Sequence, residues 1–591
     1  MIAFSVSRAA GMGFLLALAG CGKGGDSKAK GGHPLPAPLV AKCSPGRPGG
    51  RLVIATAQGP KTFNPLFAGD DGSETITRLL FGSLVTLNLS AQEISPGLAE
   101  SWQAGPDGKT WTFKLREGLR WSDGQPLSAQ DVVFTWNEIM YNPQLNRSTY
   151  NLFRADGRNF EVTNLDDRTV RVVTPEVFAP FLEFFGTVAI LPRHVLQDAV
   201  RGQRFPLVYG LNTPPERLVG CGPFRIEEVR AGKYTLLERN PEYWVVDSQG
   251  RRLPYFGEVM FLAGSGPDAD LRLFSQGKSD VFEAGRPQNF AFLKQAATQR
   301  SARLIDVGVG SERDFIWFNQ NTGTNAAGRP LVNPVKLKWF RNKKFRQAVS
   351  CALNRERLVR EVYGGRAQPM YSFISAENPK WDNPDVAHWS YDPARARALL
   401  AEIGLRPRQS DGSLVDESAN PVEVLFSFYA GNAYREKSAA LIQDDLQKVG
   451  IKLVSAPLDS QALITKVNAT FDYECAMMGL GGGAIDPASQ MNVLRSSEDL
   501  HQWYPFQATP STEWEARIDA LMDAQMRTLD FTQRKKEFSE VQAILADELP
   551  MIYTVSPISC AAIRSDVGNL RPSVLTPYRL TWNLEELFFQ R

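Results

Sequence analysis

SPGLAESWQAGPDGKTWTFKLREGLRWSDGQPLSAQDVVFTW, residues 95–136, is the stretch whose reading decides the fold. Ala104-Gly105-Pro106-Asp107-Gly108 is a turn, because Pro presets φ and Gly accepts φ > 0. Beyond it Trp111, Phe113 and Leu115 alternate with Thr112, Lys114 and Arg116, the period of a half-buried strand. Ser122-Asp123-Gly124 is a second turn. Ser128 then caps a helix, with Asp131 at the fourth place of a capping box. Val132, Val133, Trp136, Ile139 and Met140 give that helix one apolar face. By periodicity alone the stretch is a strand–turn–helix block of an α/β domain.

The wording of the block closely resembles the signature of solute-binding protein family 5, the extracytoplasmic receptors of peptide-type ABC importers. Two later blocks follow in the family's order. Val219-Gly220-Cys221-Gly222-Pro223-Phe224 resembles "GTGPF", with Cys221 in place of Thr, and residues 345–355 resemble "fR.Al..AidR", with Asn354 for the Asp. The resemblance implies an α/β class II periplasmic-binding-protein fold: two lobes joined by a hinge, plus an extra domain in the first lobe. It assigns residues 49–84, 216–313 and 556–591 to lobe one, 85–215 to the extra domain packed on it, and 314–555 to lobe two. It also implies that the chain catalyses nothing, takes no cofactor, acts as a monomer, and delivers a peptide or similar small solute to membrane permease subunits. An exported hydrolase without a motif, a purely structural lipoprotein, and a receptor for an oligosaccharide or other non-peptide ligand are the alternatives.

The N-terminus points outward from the cytoplasm. Arg8 precedes a short apolar run, 12–18, which ends in Leu18-Ala19-Gly20-Cys21. This resembles a lipoprotein signal over residues 1–20, with Cys21 lipidated and the protein held on the outer side of a membrane, in the cell envelope. The run is too short to span a bilayer comfortably. Residues 21–48 are rich in Gly, Lys, Ser and Pro and read as a flexible tether.

Of 591 residues, 66 are basic and 64 acidic, so a net charge of +2 gives no nucleic-acid footprint. Cys43, Cys221, Cys351, Cys475 and Cys560 show no CxxC spacing and read as inert core thiols. His33, His194, His388 and His501 form no metal-binding spacing, and no GxSxG elbow occurs. The GKS at 277–279 lacks the upstream Gly of a phosphate loop, because Arg272 stands there. Gly479-x-Gly481-x-x-Ala484 spells a weak dinucleotide motif with no βαβ unit to support it.

The remaining chain reads as strands at 51–56 and 451–455, a hairpin at 225–238, and helices at 345–359, 392–404, 434–450, 517–529 and 533–549. Residues 551–555 read as a strand returning to the first lobe. Candidate ligand-site residues are Phe63 and Asn64 in the loop after 51–56, Tyr429 and Asn432, then Leu480, Gly481, Gly483 and Asp486, and the aromatics Trp503, Tyr504 and Tyr553. Peptide-binding relatives read "GW.aD..DP" near residue 480, where an aromatic supports the peptide and the first Asp pairs with its α-ammonium. Here Leu480 and Gly483 take those places, and Asp486 matches the later helix-capping Asp. Free zwitterionic di- and tripeptides are therefore expected to bind poorly, unless another acid such as Glu474 supplies the anchor.

Overall fold

Arg51–Thr56 starts the first sheet because alternate residues, Leu52 and Ile54, are buried in a core while their neighbours are not. In a computed structural model, the described residues are 32–145, 153–155, 157–264, 266–310, 313–375, 378–481, 486–575 and 580–590. The first sheet runs in the order Phe224–Arg230, Tyr234–Arg239, Glu258–Ala263, Arg51–Thr56, Val281–Gly285, Val555–Arg564, Ala302–Val309. Glu258–Ala263, Arg51–Thr56 and Val281–Gly285 are mutually parallel; the others in the path pair antiparallel. Its core takes in Leu79 and Leu80 of the helix Asp71–Leu80, whose cap is Asp70. The hairpin of 225–238 is present, from Phe224 to Arg239.

The block at 95–136 builds a separate four-stranded sheet, Ala99–Ala104, Thr110–Leu115, Thr169–Val173, Glu161–Asn164. Trp111, Phe113 and Leu115 face inward, and Thr112 and Lys114 do not. Ser128 and Asp131 form the reciprocal capping box. The helix they start, Ala129–Phe134, widens into a π-helical turn, Thr135–Met140, that lays Trp136 flat on Phe185 at 3.9 Å.

The second sheet runs Lys452–Leu458, Glu423–Tyr429, Cys475–Leu480, Arg313–Phe318, Ile552–Tyr553. One of its faces packs on Phe345, Ala348, Ile442 and Leu446, the other on Phe373, Trp503, Met522 and Phe538. The architecture is mixed α/β.

Three local expectations need correction. The helix expected over 345–359 is two, Lys343–Ala352 and Arg355–Glu361. Asn354 breaks them, because its side chain accepts from the Arg357 amide at 2.9 Å and so begins a new helix. The strand expected at 551–555 is divided between sheets: Ile552–Tyr553 completes the second, and the chain joins the first only at Val555. The tether expected over 21–48 is docked from His33 onward. Leu35, Leu39 and Ala41 pack against the extra sheet's core, Leu39–Val40 pairs with Val245–Val246, and His33 meets Glu242 at 3.0 Å.

No disulfide joins the described cysteines; Cys221, Cys351, Cys475 and Cys560 are buried and Cys43 partly so. Burial pushes the Cys221 thiol up to about 12 and the Cys43 thiol to about 11, which makes both poor nucleophiles.

Candidate ligand-binding cleft

Strand direction locates the site. Glu423–Tyr429, Lys452–Leu458 and Cys475–Leu480 are parallel, so Tyr429, Leu458 and Leu480 stand at one edge of the second sheet. Arg313–Phe318 runs the other way, so it begins at that edge, with Arg313 opposite Leu480. In the first sheet Thr56, Ala263 and Gly285 likewise end the parallel strands. The chain leaves the first sheet at Val309 and enters the second at Arg313. It leaves the second at Tyr553 and enters the first at Val555. Both crossings therefore connect the carboxyl edges of the two sheets. Open α/β sheets bind ligands at such edges.

The crossings run side by side. The Thr554 amide donates to Asp314 O at 2.9 Å, and Ser556 Oγ donates to Gly310 O at 3.0 Å. Within the first sheet, Gly285 permits the close approach of Val281–Gly285 to Val555–Arg564, since a Cβ there would meet Cys560 O at 2.1 Å.

Asp314 and Asp486 at the second sheet's carboxyl edge are already paired with arginines. Asp314 accepts from Arg435 at 2.9 Å and from the Tyr363 hydroxyl at 3.2 Å. Asp486 caps the short helix Pro487–Gln490 and takes two bonds from Arg534, each 2.8 Å. The Asp486 amide reaches across to Glu183 of the extra domain at 3.1 Å. Burial, with the Asp486 charge beside it, pushes the Glu183 carboxyl up to about 7.

Of the residues singled out from sequence, Tyr429, Asn432, Leu480, Gly481 and Tyr553 come together at this edge. Asn432 spends its side chain capping the helix Ala433–Gln447. Gly483 and Cys21 lie outside the described residues. Phe63 and Asn64 are wholly buried: Phe63 joins the first core, and Asn64 donates to Phe205 O and accepts from the Leu66 amide. They shape the loop from within and do not line a cleft. Trp503 and Tyr504 belong to the opposite edge, because Trp503 O accepts from the amide of Gln320, beyond the far end of Arg313–Phe318. There Trp503 donates to the buried Glu515 at 2.9 Å. Burial alone would raise that carboxyl, but hydrogen bonds from His501, Gln507 and Thr512 outweigh it and hold it at about 2. Glu474 is at the far edge too, where it binds Lys336 at 2.7 Å, so it supplies no anchor at the cleft.

Arg313, Gln490, Arg435 and Asp314 were not singled out from the sequence. For Arg313 and Asp314 the signal is the charged pair opening an otherwise apolar run; Arg435 and Gln490 carry no comparable one. A separate cavity of about 370 Å³, lined by Leu66, Phe81, Met140 and Leu191, lies at the carboxyl end of the helix Asp71–Leu80, away from these edges.

Two α/β sheets whose carboxyl edges are tied by paired crossings define a two-lobed solute-binding protein. The model of the bacterial extracellular solute-binding proteins, family 5, matches residues 93–502. The chain belongs to this family, whose members are extracytoplasmic substrate-binding proteins of ABC importers and not enzymes. It is 27% identical over 532 residues to a probable ABC transporter-binding protein of Deinococcus radiodurans, covering 85% of this chain and 86% of that one. The solved substrate-binding protein CtaP of Listeria monocytogenes superposes with a TM-score of 0.73 at 24% identity, over 92% of this chain and all of that one. The oligopeptide-binding protein AppA of Bacillus subtilis, in complex with a nonapeptide, superposes with a TM-score of 0.66 at 24% identity, over 93% of this chain and all of that one.

Proposed function

We propose that this chain is a lipid-anchored monomeric receptor that captures a peptide between the two carboxyl edges and delivers it to its permease. The observation that carries the reading is the pair of crossings: whatever lies between the edges is enclosed when the lobes approach. A peptide cargo is supported by AppA and its nonapeptide. The anchor is Cys21, followed by a chain whose described helices include none long and apolar enough to cross a membrane.

The cargo is longer than a tripeptide, or blocked. An ammonium needs an acidic partner when buried; at the second sheet's carboxyl edge Asp314 and Asp486 are taken by arginines, and Asp459, after Leu458, caps the helix Ser460–Thr465. Calorimetry with peptide pools of two to nine residues tests this. Binding should grow with length and survive N-terminal acetylation. Tight dipeptide binding that acetylation abolishes would refute it. Cys21→Ala should release the protein from membranes, and a variant that still sediments with them would exclude the anchor.

A further inference from the structure

Arg313 stands at the carboxyl edge of the second sheet and is only 5% exposed. Its guanidinium has five donors, yet among the described residues it makes a single hydrogen bond, from Nη2 to Gln490 Oε1 at 2.8 Å. The guanidinium carbon sits over the Phe373 ring, 4.3 Å from its centroid, and Nε is buried without a partner among the described residues. Among the described residues no carboxylate pairs with it. Other buried arginines of the lobe are well supplied: Arg534 holds Asp486, Arg346 reaches Glu548, and Arg355 donates to three oxygens.

Beside it, Tyr553 is 1% exposed and its hydroxyl also has no partner among the described residues. Tyr553 pairs with Phe315, two residues after Arg313, so the two side chains are diagonal neighbours on one face, roughly 7 Å apart. Each influences the other's charge. A buried cation and a buried hydroxyl left open together at a ligand-binding edge are costly to the protein alone, and an incoming anion would satisfy both.

We propose that Arg313 and Tyr553 form a subsite for a carboxylate of the ligand, with Gln490 and Phe373 fixing the guanidinium plane. This rests on the reading of that edge as the ligand cleft. One guanidinium and one hydroxyl match a single negative charge, which favours a carboxylate over a phosphate.

Two measurements on the purified full chain test it. In the first, melting temperature is followed against formate, acetate and inorganic phosphate, with chloride holding ionic strength constant. Carboxylates should give a saturable rise. Arg313→Met and Tyr553→Phe should weaken that response at least tenfold while leaving the anion-free melting temperature unchanged or higher. A merely structural arginine predicts the reverse: the Arg313→Met protein melts lower and keeps its anion response. Carboxylates no better than chloride would overturn the subsite, and phosphate binding more tightly would overturn its assignment to carboxylate. In the second, a hexapeptide pool is compared as free acids and as C-terminal amides. Acids should bind at least tenfold better, and Arg313→Met should erase the difference. Equal binding of both forms would keep the peptide receptor and overturn the subsite. Acetate binding through Arg313 with no peptide bound would support the subsite and overturn the peptide cargo.

Discussion

Glu183→Gln should uncouple the contact between the extra domain and the second lobe from pH. Glu183 lies in the short helix Phe181–Phe184, and its Oε1 accepts from the Asp486 amide at 3.1 Å. The groups acting on it are the Asp486 carboxylate, which raises it, and Lys380 and Arg534, which lower it. Burial dominates, and the carboxyl moves from its ordinary 4.5 to about 7. That displacement corresponds to about 3 kcal/mol. The sign follows from proton binding: between pH 4.5 and 7 the folded protein holds a proton that the unfolded chain has lost, so stability falls as pH rises through that window. Below pH 4.5 both states are protonated and the contact is at full strength. Above pH 7 the charged carboxylate costs the folded protein the whole amount. Glutamine keeps the acceptor and never ionises. Thermal melts at pH 4 and pH 8 should therefore show variant and wild type nearly equal at the lower pH, with the variant more stable at the higher by about 2–3 kcal/mol. An equal difference at both pH values would refute the argument, because the side chain's effect would then be packing and not charge.

Four further outcomes can be checked by the same melts or by urea unfolding. Asp486→Asn leaves Arg534 buried without its carboxylate and should cost about 3–5 kcal/mol, most of it recovered when Arg534→Met is added. Glu515→Gln should flatten the acid limb: this carboxyl, held at about 2, gives stability that is complete above its ordinary 4.5 and lost as pH falls through 2, the opposite sign to Glu183. Gly285→Ala drives a Cβ onto the Cys560 carbonyl and should cost about 1–3 kcal/mol, with the loosened pairing of Val281–Gly285 visible as faster amide exchange over residues 560–563. Ser128→Ala removes half of a capping box and should cost about 1 kcal/mol, with the block's fold retained by circular dichroism.

What sequence could disclose depended on the kind of information each feature needs. Trp111, Phe113 and Leu115 were legible because one face of their strand is solvated, so burial alternates and the period is written in the residues. Arg313–Phe318 is buried at all six positions, and no alternation separates the core residues from the one at the cleft. The aromatics failed in a different way. Tyr553 and Trp503 are equally buried, and nothing local distinguishes them. They stand at opposite edges because one lies beside the start of Arg313–Phe318 and the other beyond its end. Periodicity assigns a side chain to a face; only strand direction assigns it to an edge. Direction is fixed by pairings between residues far apart in sequence, such as Phe315 with Met478 and with Tyr553. The family blocks carried that topology as a whole, which is why the fold could be expected. They did not carry it residue by residue, which is why Phe63, Asn64, Trp503 and Tyr504 were placed in a cleft they do not line. The same reasoning marks Arg313: a charged residue that opens a fully buried strand at the hinge is poorly accounted for by the core, and its edge position accounts for it better.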